Sequence, residues 1–123
     1  MILKKKYTIL AGILLVILGL VLFAVSTTPS DAVPYTAFTD CLKENDVVLY
    51  GVDTCDKCQN QKKYFGEAFE NVTYKNCAFH AAECNALPSA GYPTWTMRGT
   101  VIAEGLTTLS ALAQRTGCPF DTP

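Results

Sequence analysis

Six cysteines, at positions 41, 55, 58, 77, 84 and 118, are the residues of this chain best suited to chemistry. Two of them form Cys55-Asp56-Lys57-Cys58, a CxxC. The motif follows the apolar run Val47-Val48-Leu49-Tyr50, which reads as a buried strand ended by Gly51. Asp53 and Thr54 then supply helix-starting side chains, so a helix is expected from about Cys55. The first-turn amides of a helix lack intrahelical partners, and its macrodipole is positive there. Both effects stabilise a thiolate on Cys55, and the thiolate is the reactive form of cysteine. Cys58, one turn further along, is placed to resolve a mixed disulfide formed at Cys55.

Loop entropy sets this pair apart. Six cysteines can pair in many ways. Closing the short CxxC ring constrains the unfolded chain by only about 2 kcal/mol, whereas a Cys41–Cys118 bridge would contribute roughly 4.5 kcal/mol and a Cys77–Cys84 bridge about 2.5 kcal/mol. The CxxC is therefore the labile candidate. Two other readings compete. Cys55, Cys58, Cys77 and His80 have the spacing C-x2-C-x18-C-x2-H of a tetrahedral zinc site. Alternatively, all three pairs are structural staples. A CxxC that opens a helix after an apolar strand, in an exported chain where thiols oxidise, favours exchange over zinc, and no metal or other cofactor is expected. His80 reads as an exposed loop residue.

Export is argued from the other end of the chain. Lys4, Lys5 and Lys6 precede an unbroken apolar run from Ile9 to Val25. As a helix that run spans roughly 26 Å, enough for the hydrocarbon layer. The lysines favour the cytoplasmic side, which puts the remainder outside. The length of the run favours an uncleaved single-pass anchor in the cell membrane, residues 1–25. A signal peptide cut after Ser26 is the alternative, since Ala24-Val25-Ser26 supplies small residues. Residues 26–34 (STTPSDAVP) read as a linker, and 35–123 as one domain. The part after Ser26 carries seven Lys/Arg and eleven Asp/Glu, which speaks against nucleic-acid binding and against a basic membrane-surface patch.

The elements that would hold the cysteines follow from pattern. Residues 35–45 form a helix with Phe38, Cys41 and Leu42 on one face. The CxxC helix bears an apolar stripe of Tyr64, Phe65, Ala68 and Phe69, bent or interrupted at Gly66. Val72–Lys75 is a strand, and 78–87 a short helix or irregular connection. Pro93–Arg98 and Val101–Ala103 form a hairpin turning at Gly99-Thr100. Thr107 or Thr108 caps a last helix whose Leu109, Leu112 and Ala113 face inward, and Gly117 ends it. The order fits an α/β domain whose sheet mixes parallel crossovers with a hairpin. Pro93 suits a strand start, and by sequence alone an ordinary trans proline there is the commoner case. A cis Pro93 would instead hold its backbone near the CxxC and let a peptide dock in strand fashion. Asn71-Val72-Thr73 is a glycosylation sequon, relevant where the host glycosylates exported chains.

Strand, CxxC helix, strand-start proline, hairpin and final helix together resemble the thioredoxin superfamily. The segments VVLYGVDTCDKCQNQKKYFGEAF, GYPTW and LTTLSALAQRTGC resemble more closely the thioredoxin-like domain associated with vitamin K epoxide reductase homologues, whose members read like YGAxWCPHCQxQKxxFG, then a cysteine pair, YPTW and a GC ending. The resemblance implies a thioredoxin-like fold with a central mixed four-stranded sheet flanked by helices. It implies Cys55 as nucleophile, Cys58 as resolving thiol, Pro93 as a cis proline flanked by substrate-binding Tyr92 and Thr94, and structural disulfides Cys41–Cys118 and Cys77–Cys84. It also implies a thiol–disulfide oxidoreductase that acts on exported cysteine-bearing proteins and is reoxidised by a vitamin K epoxide reductase-like membrane protein. Three departures bear on the chemistry. Thr54 stands where the family has an aromatic, Asp56-Lys57 replaces Pro-His, and Leu49 stands where cytosolic thioredoxins carry a buried acid. Asp56 should disfavour a thiolate on Cys55 and Lys57 should favour it, so the direction of electron flow is open.

Overall fold

The structure, a computed structural model, describes residues 1–26 and 35–121, with side chains for 1–22 and 35–121. The linker expected over 26–34 thus falls, apart from Ser26, outside the described residues. The chain divides into two units, Met1–Asp31 and Ala32–Pro123. The first is a single helix, α1 (Ile2–Ser26). Its Ile2–Leu22 portion, of mean hydropathy 2.0, is long and apolar enough to cross a membrane.

The second unit runs α2 (Thr36–Glu44), β1 (Val47–Gly51), α3 (Asp56–Phe65), a 3₁₀ segment (Gly66–Asn71), β2 (Thr73–Asn76), α4 (Ala81–Asn85), β3 (Thr94–Met97), β4 (Thr100–Glu104) and α5 (Leu109–Thr116). The strands form one mixed sheet in the order β2-β1-β3-β4. β2 runs parallel to β1, whereas β3 is antiparallel to both β1 and β4. The mixed α/β architecture with helices around a four-stranded sheet is therefore as expected from the pattern of the chain.

β1 is central and every residue in it is buried. Because side chains alternate across a strand, its two faces enter different clusters. Val47 and Leu49 join Phe38, Leu42, Phe65, Trp95, Leu109 and Leu112, which draws α2, α3 and α5 onto the larger core. Val48 and Tyr50 pack with Cys77 and Cys84 in a smaller cluster. Leu49 is fully buried beside its register partner Trp95, also fully buried. The core around both is apolar.

Two local expectations differ from the structure. Tyr64 does not join the apolar stripe and is 40% exposed, because the buried face of α3 runs through Cys58, Gln61 and Phe65 and Tyr64 lies about 100° round the helix from Phe65; Gly66, with φ of 56°, then redirects the chain into the 3₁₀ segment, where Ala68 is buried as expected. β1 ends at Gly51, as expected, and that residue is itself paired with Asn76. The hairpin turns at Arg98-Gly99 rather than Gly99-Thr100. Both turn residues have positive φ, 51° and 79°, which suits the twist of a two-residue hairpin, and Met97 pairs directly with Thr100.

Gln61 ties α3 to the far end of the domain. Its side chain is fully buried. The amide nitrogen donates to the Thr107 carbonyl at 2.8 Å, and the amide oxygen accepts from the Thr107 N–H at 2.8 Å. A buried amide is tolerated here because both of its polar atoms are paired. The Thr107 hydroxyl donates to the Gly105 carbonyl at 3.1 Å, and it is Thr108 that caps α5, its hydroxyl accepting from the Ala111 N–H at 3.2 Å.

Candidate active site

The CxxC sits where β1 gives way to α3. The residue that caps α3 is Cys55 itself: its backbone is extended, and its sulfur accepts the Cys58 N–H at 3.3 Å. Asp53 and Thr54, the expected starters, leave that role to the thiol. The Asp53 main-chain carbonyl instead accepts from the Gln59 side chain at 2.8 Å, which fixes the turn leading into the helix. A sulfur in the cap position faces the unpaired amides and the positive end of the dipole together.

The two thiols differ in surroundings. Among the described residues Cys55 and Cys58 are the free cysteines, Cys55 half-buried and Cys58 fully buried. The Cys55 thiol is held below its ordinary pKa, chiefly because the Cys58 thiol donates a hydrogen bond to it. The Cys58 and Lys57 amides add to this, while Asp56 opposes it. Burial and the hydrogen bond given to Cys55 push Cys58 up to about 11. The pair therefore consists of an accessible sulfur that ionises easily and a hidden one that holds its proton.

Tyr92, Pro93 and Thr94 come to this site from the start of β3. The Tyr92–Pro93 peptide bond is cis. The Tyr92 carbonyl lies 3.9 Å from the Cys55 sulfur, within the range of a weak S–H contact. The Pro93 carbonyl is taken by the Gly105 N–H at 2.8 Å. Thr94 is fully buried, with its hydroxyl bonded to the Gly91 carbonyl and to Ser89, each at 2.6 Å, so that its side chain faces inward. A cavity of about 290 Å³ opens beside Tyr92, bordered by Leu87, Ser89 and Gly91.

The other four cysteines are paired. Cys41 in α2 is bonded to Cys118 just past α5, and Cys77 to Cys84 in α4. Cys77, one of the four residues with zinc-like spacing, is thus engaged with Cys84. His80 precedes α4 with an exposed side chain, its ring nitrogen 3.5 Å from the Glu83 carboxylate. The Asn71 amide of the sequon donates to Thr39 and Asp40, and a glycan there, which leaves the nitrogen a single hydrogen, would remove at least one of these contacts.

Sequence reasoning missed a polar cluster flanking Cys58. The Asp53 carboxylate accepts from Lys62 at 2.8 Å, from Asn76 at 2.7 Å and from the Tyr74 hydroxyl at 3.2 Å. Lys62, through its hydrogen bond and charge, holds the Asp53 carboxyl below the usual range. Burial and the neighbouring Asp53 push the Tyr74 hydroxyl up. Lys62 also lies 3.9 Å above the centre of the Tyr74 ring, within cation–π range. The one signal available beforehand was helical spacing, since Lys62 follows Cys58 by four residues and so shares its face. No family model matches the chain.

Proposed function

We propose that the chain is a membrane-tethered, extracytoplasmic thiol–disulfide oxidoreductase with a thioredoxin-like fold, which introduces disulfides into exported proteins. The observation that carries this reading is the asymmetry of the CxxC: Cys55 caps α3 with an accessible, readily ionised sulfur, while Cys58 is buried behind it. A purely structural pair gains nothing from such a difference.

In the oxidising direction a substrate thiolate attacks the Cys55 sulfur of the Cys55–Cys58 disulfide. The electron pair of the broken S–S bond goes to Cys58, which then takes a proton from water. A second substrate thiolate attacks the substrate sulfur of the mixed disulfide, and Cys55 leaves as a thiolate. The substrate dithiol is oxidised and the enzyme pair is reduced by two electrons. The backbone at Tyr92, beside Cys55, supplies a rail on which an extended peptide can dock. The cysteine pair is the redox group, and no other cofactor enters these steps. Reoxidation falls to a membrane protein of the vitamin K epoxide reductase type, held close by α1, with the lysines before the apolar run on the cytoplasmic side.

One observation favours a reductase or isomerase built on the same pair. The Asp56 charge opposes the Cys55 thiolate, and a less stabilised thiolate makes a less oxidising couple. A redox titration of Cys55/Cys58 in the full chain, together with turnover on a reduced and on a scrambled substrate protein, decides between them. A couple as reducing as thioredoxin would reverse the proposed direction. Failure to exchange with either substrate would remove the enzyme altogether.

A further inference from the structure

The buried sulfur of Cys58 must carry a negative charge whenever the proposed exchange runs, because it leaves as a thiolate in one direction and attacks as one in the other. The leaving thiolate departs faster when it is better stabilised. The position where cytosolic thioredoxins carry an acid is Leu49 in an apolar core, so the stabilising group has to come from elsewhere.

Three observations converge on Lys62. It lies four residues after Cys58 in α3, on the same face of the helix. Cys58 and the Tyr74 ring border the same small gap: a Cβ placed on Gly51 would meet the Cys58 sulfur at 2.8 Å and the ring edge at 3.4 Å. The Lys62 ammonium rests 3.9 Å above the centre of that same ring and is fixed from the outside by Asp53 at 2.8 Å. The ammonium is thus clamped between a carboxylate and an aromatic face, one ring away from the sulfur. The Val52 backbone N–H favours a charge on Cys58, and among the ionisable groups around it Lys62 favours one while Cys55 and Tyr74 oppose it. Gly51, on the neighbouring strand, brings no side chain.

We propose that Lys62 is a positioning residue for the exchange reaction, placed by Asp53 and Tyr74 to stabilise the thiolate that Cys58 becomes. The inference rests on the oxidoreductase reading. The simpler role for the cluster is mechanical: Asp53, Lys62, Tyr74 and Asn76 join the turn before α3 to β2. A mechanical role predicts no selective effect on the chemistry of one sulfur.

The test uses the full chain in detergent, reduced mildly so that Cys41–Cys118 and Cys77–Cys84 stay bonded, and mixed with dithionitrobenzoate. Cys55 attacks the reagent and releases one coloured thiolate. Cys58 then attacks the Cys55 sulfur of the mixed disulfide, closes the Cys55–Cys58 bond and releases a second. Lys62→Gln keeps a donor for Asp53 but lacks the charge. It should leave the first release within about twofold of the native rate, slow the second about tenfold and move its pH profile upward, while Lys62→Arg restores it. Lys62→Met carries the same expectation should the glutamine variant fold poorly. A second release unchanged in the neutral variants overturns the role of Lys62 and leaves the oxidoreductase reading intact. If the native chain gives no first release, the oxidoreductase reading fails, and the role of Lys62 with it.

Discussion

The Cys58 sulfur occupies the space that a side chain on Gly51 would need, since a Cβ there would lie 2.8 Å from it. The contact joins the last residue of β1 to the second residue of the thiol pair. It also explains why the strand ends in glycine although its backbone there is ordinary for a strand.

Gly51→Ala is therefore expected to displace Cys58 or to strain α3. The cost should be about 1–3 kcal/mol, as for overpacking in a tight core, read by urea unfolding. Cys58 should also become easier to alkylate. An alanine variant of native stability with a protected Cys58 would show that the gap is wider than the structure has it.

Cys55→Ser should abolish exchange with protein substrates, while Cys58→Ser should accumulate mixed disulfides through Cys55. Trapping with a cysteine-bearing peptide, followed by non-reducing electrophoresis, separates the two. Exchange that survives in the Cys55 variant would transfer the chemistry to another sulfur.

The two thiols give the reduced protein opposite pH dependences. Cys55 is depressed in the folded chain, so its contribution to stability is present above the unfolded cysteine value of about 8.5 and is lost as pH falls through the folded value. Cys58 is raised to about 11. Its contribution is present below the unfolded value and lost as pH rises through about 9 to 11. Urea unfolding of the mildly reduced chain across pH, native against Cys55→Ser, should show the variant missing the gain in stability that the native chain makes as pH rises from the folded Cys55 value towards about 8.5. Alkylation of Cys55 should have its midpoint below that of a free thiol. An ordinary midpoint would remove the basis for its reactivity.

Gln61→Ala should cost about 2–3 kcal/mol, since it strands the N–H and the carbonyl of Thr107 in a buried setting. Thermal or urea unfolding reads the loss. Gln61→Glu keeps the acceptor for the Thr107 N–H but forfeits the donor, and should lie no higher than the native chain.

Much of the frame was legible in the chain because it is written locally. The run Val47–Tyr50 has the continuous apolarity of a doubly buried strand, and β1 is buried along its length. Thr108 and Gly117 bracket α5 as cap and terminator, with a side-chain cap at one end and a φ of 73° at the other. What was hidden depends on partners distant in sequence. Thr107 and Thr108 look alike as caps until Gln61 fixes the Thr107 backbone from α3 and its hydroxyl turns to the Gly105 carbonyl. Asp53 reads as a helix starter, and only β2, arriving with Tyr74 and Asn76, makes it the hub of a cluster. The sequence puts the Cys55 sulfur near the first-turn amides but offers Asp53 and Thr54 as the helix starters, because sulfur is an uncommon choice for a cap. The turn was misplaced by one residue because Arg98 is an unusual occupant of a positive-φ site.

The bond between Cys41 and Cys118 spans 77 positions and encloses nearly all of the sheet-bearing unit. A protease that cuts a single peptide bond anywhere between them leaves the two fragments covalently joined, and the surviving β1–β3 and β1–β2 pairings can hold the cut ends in register. Such a nicked molecule should migrate as one band until a reductant is added, so that clipping in an environment rich in secreted proteases need not release any piece of the domain.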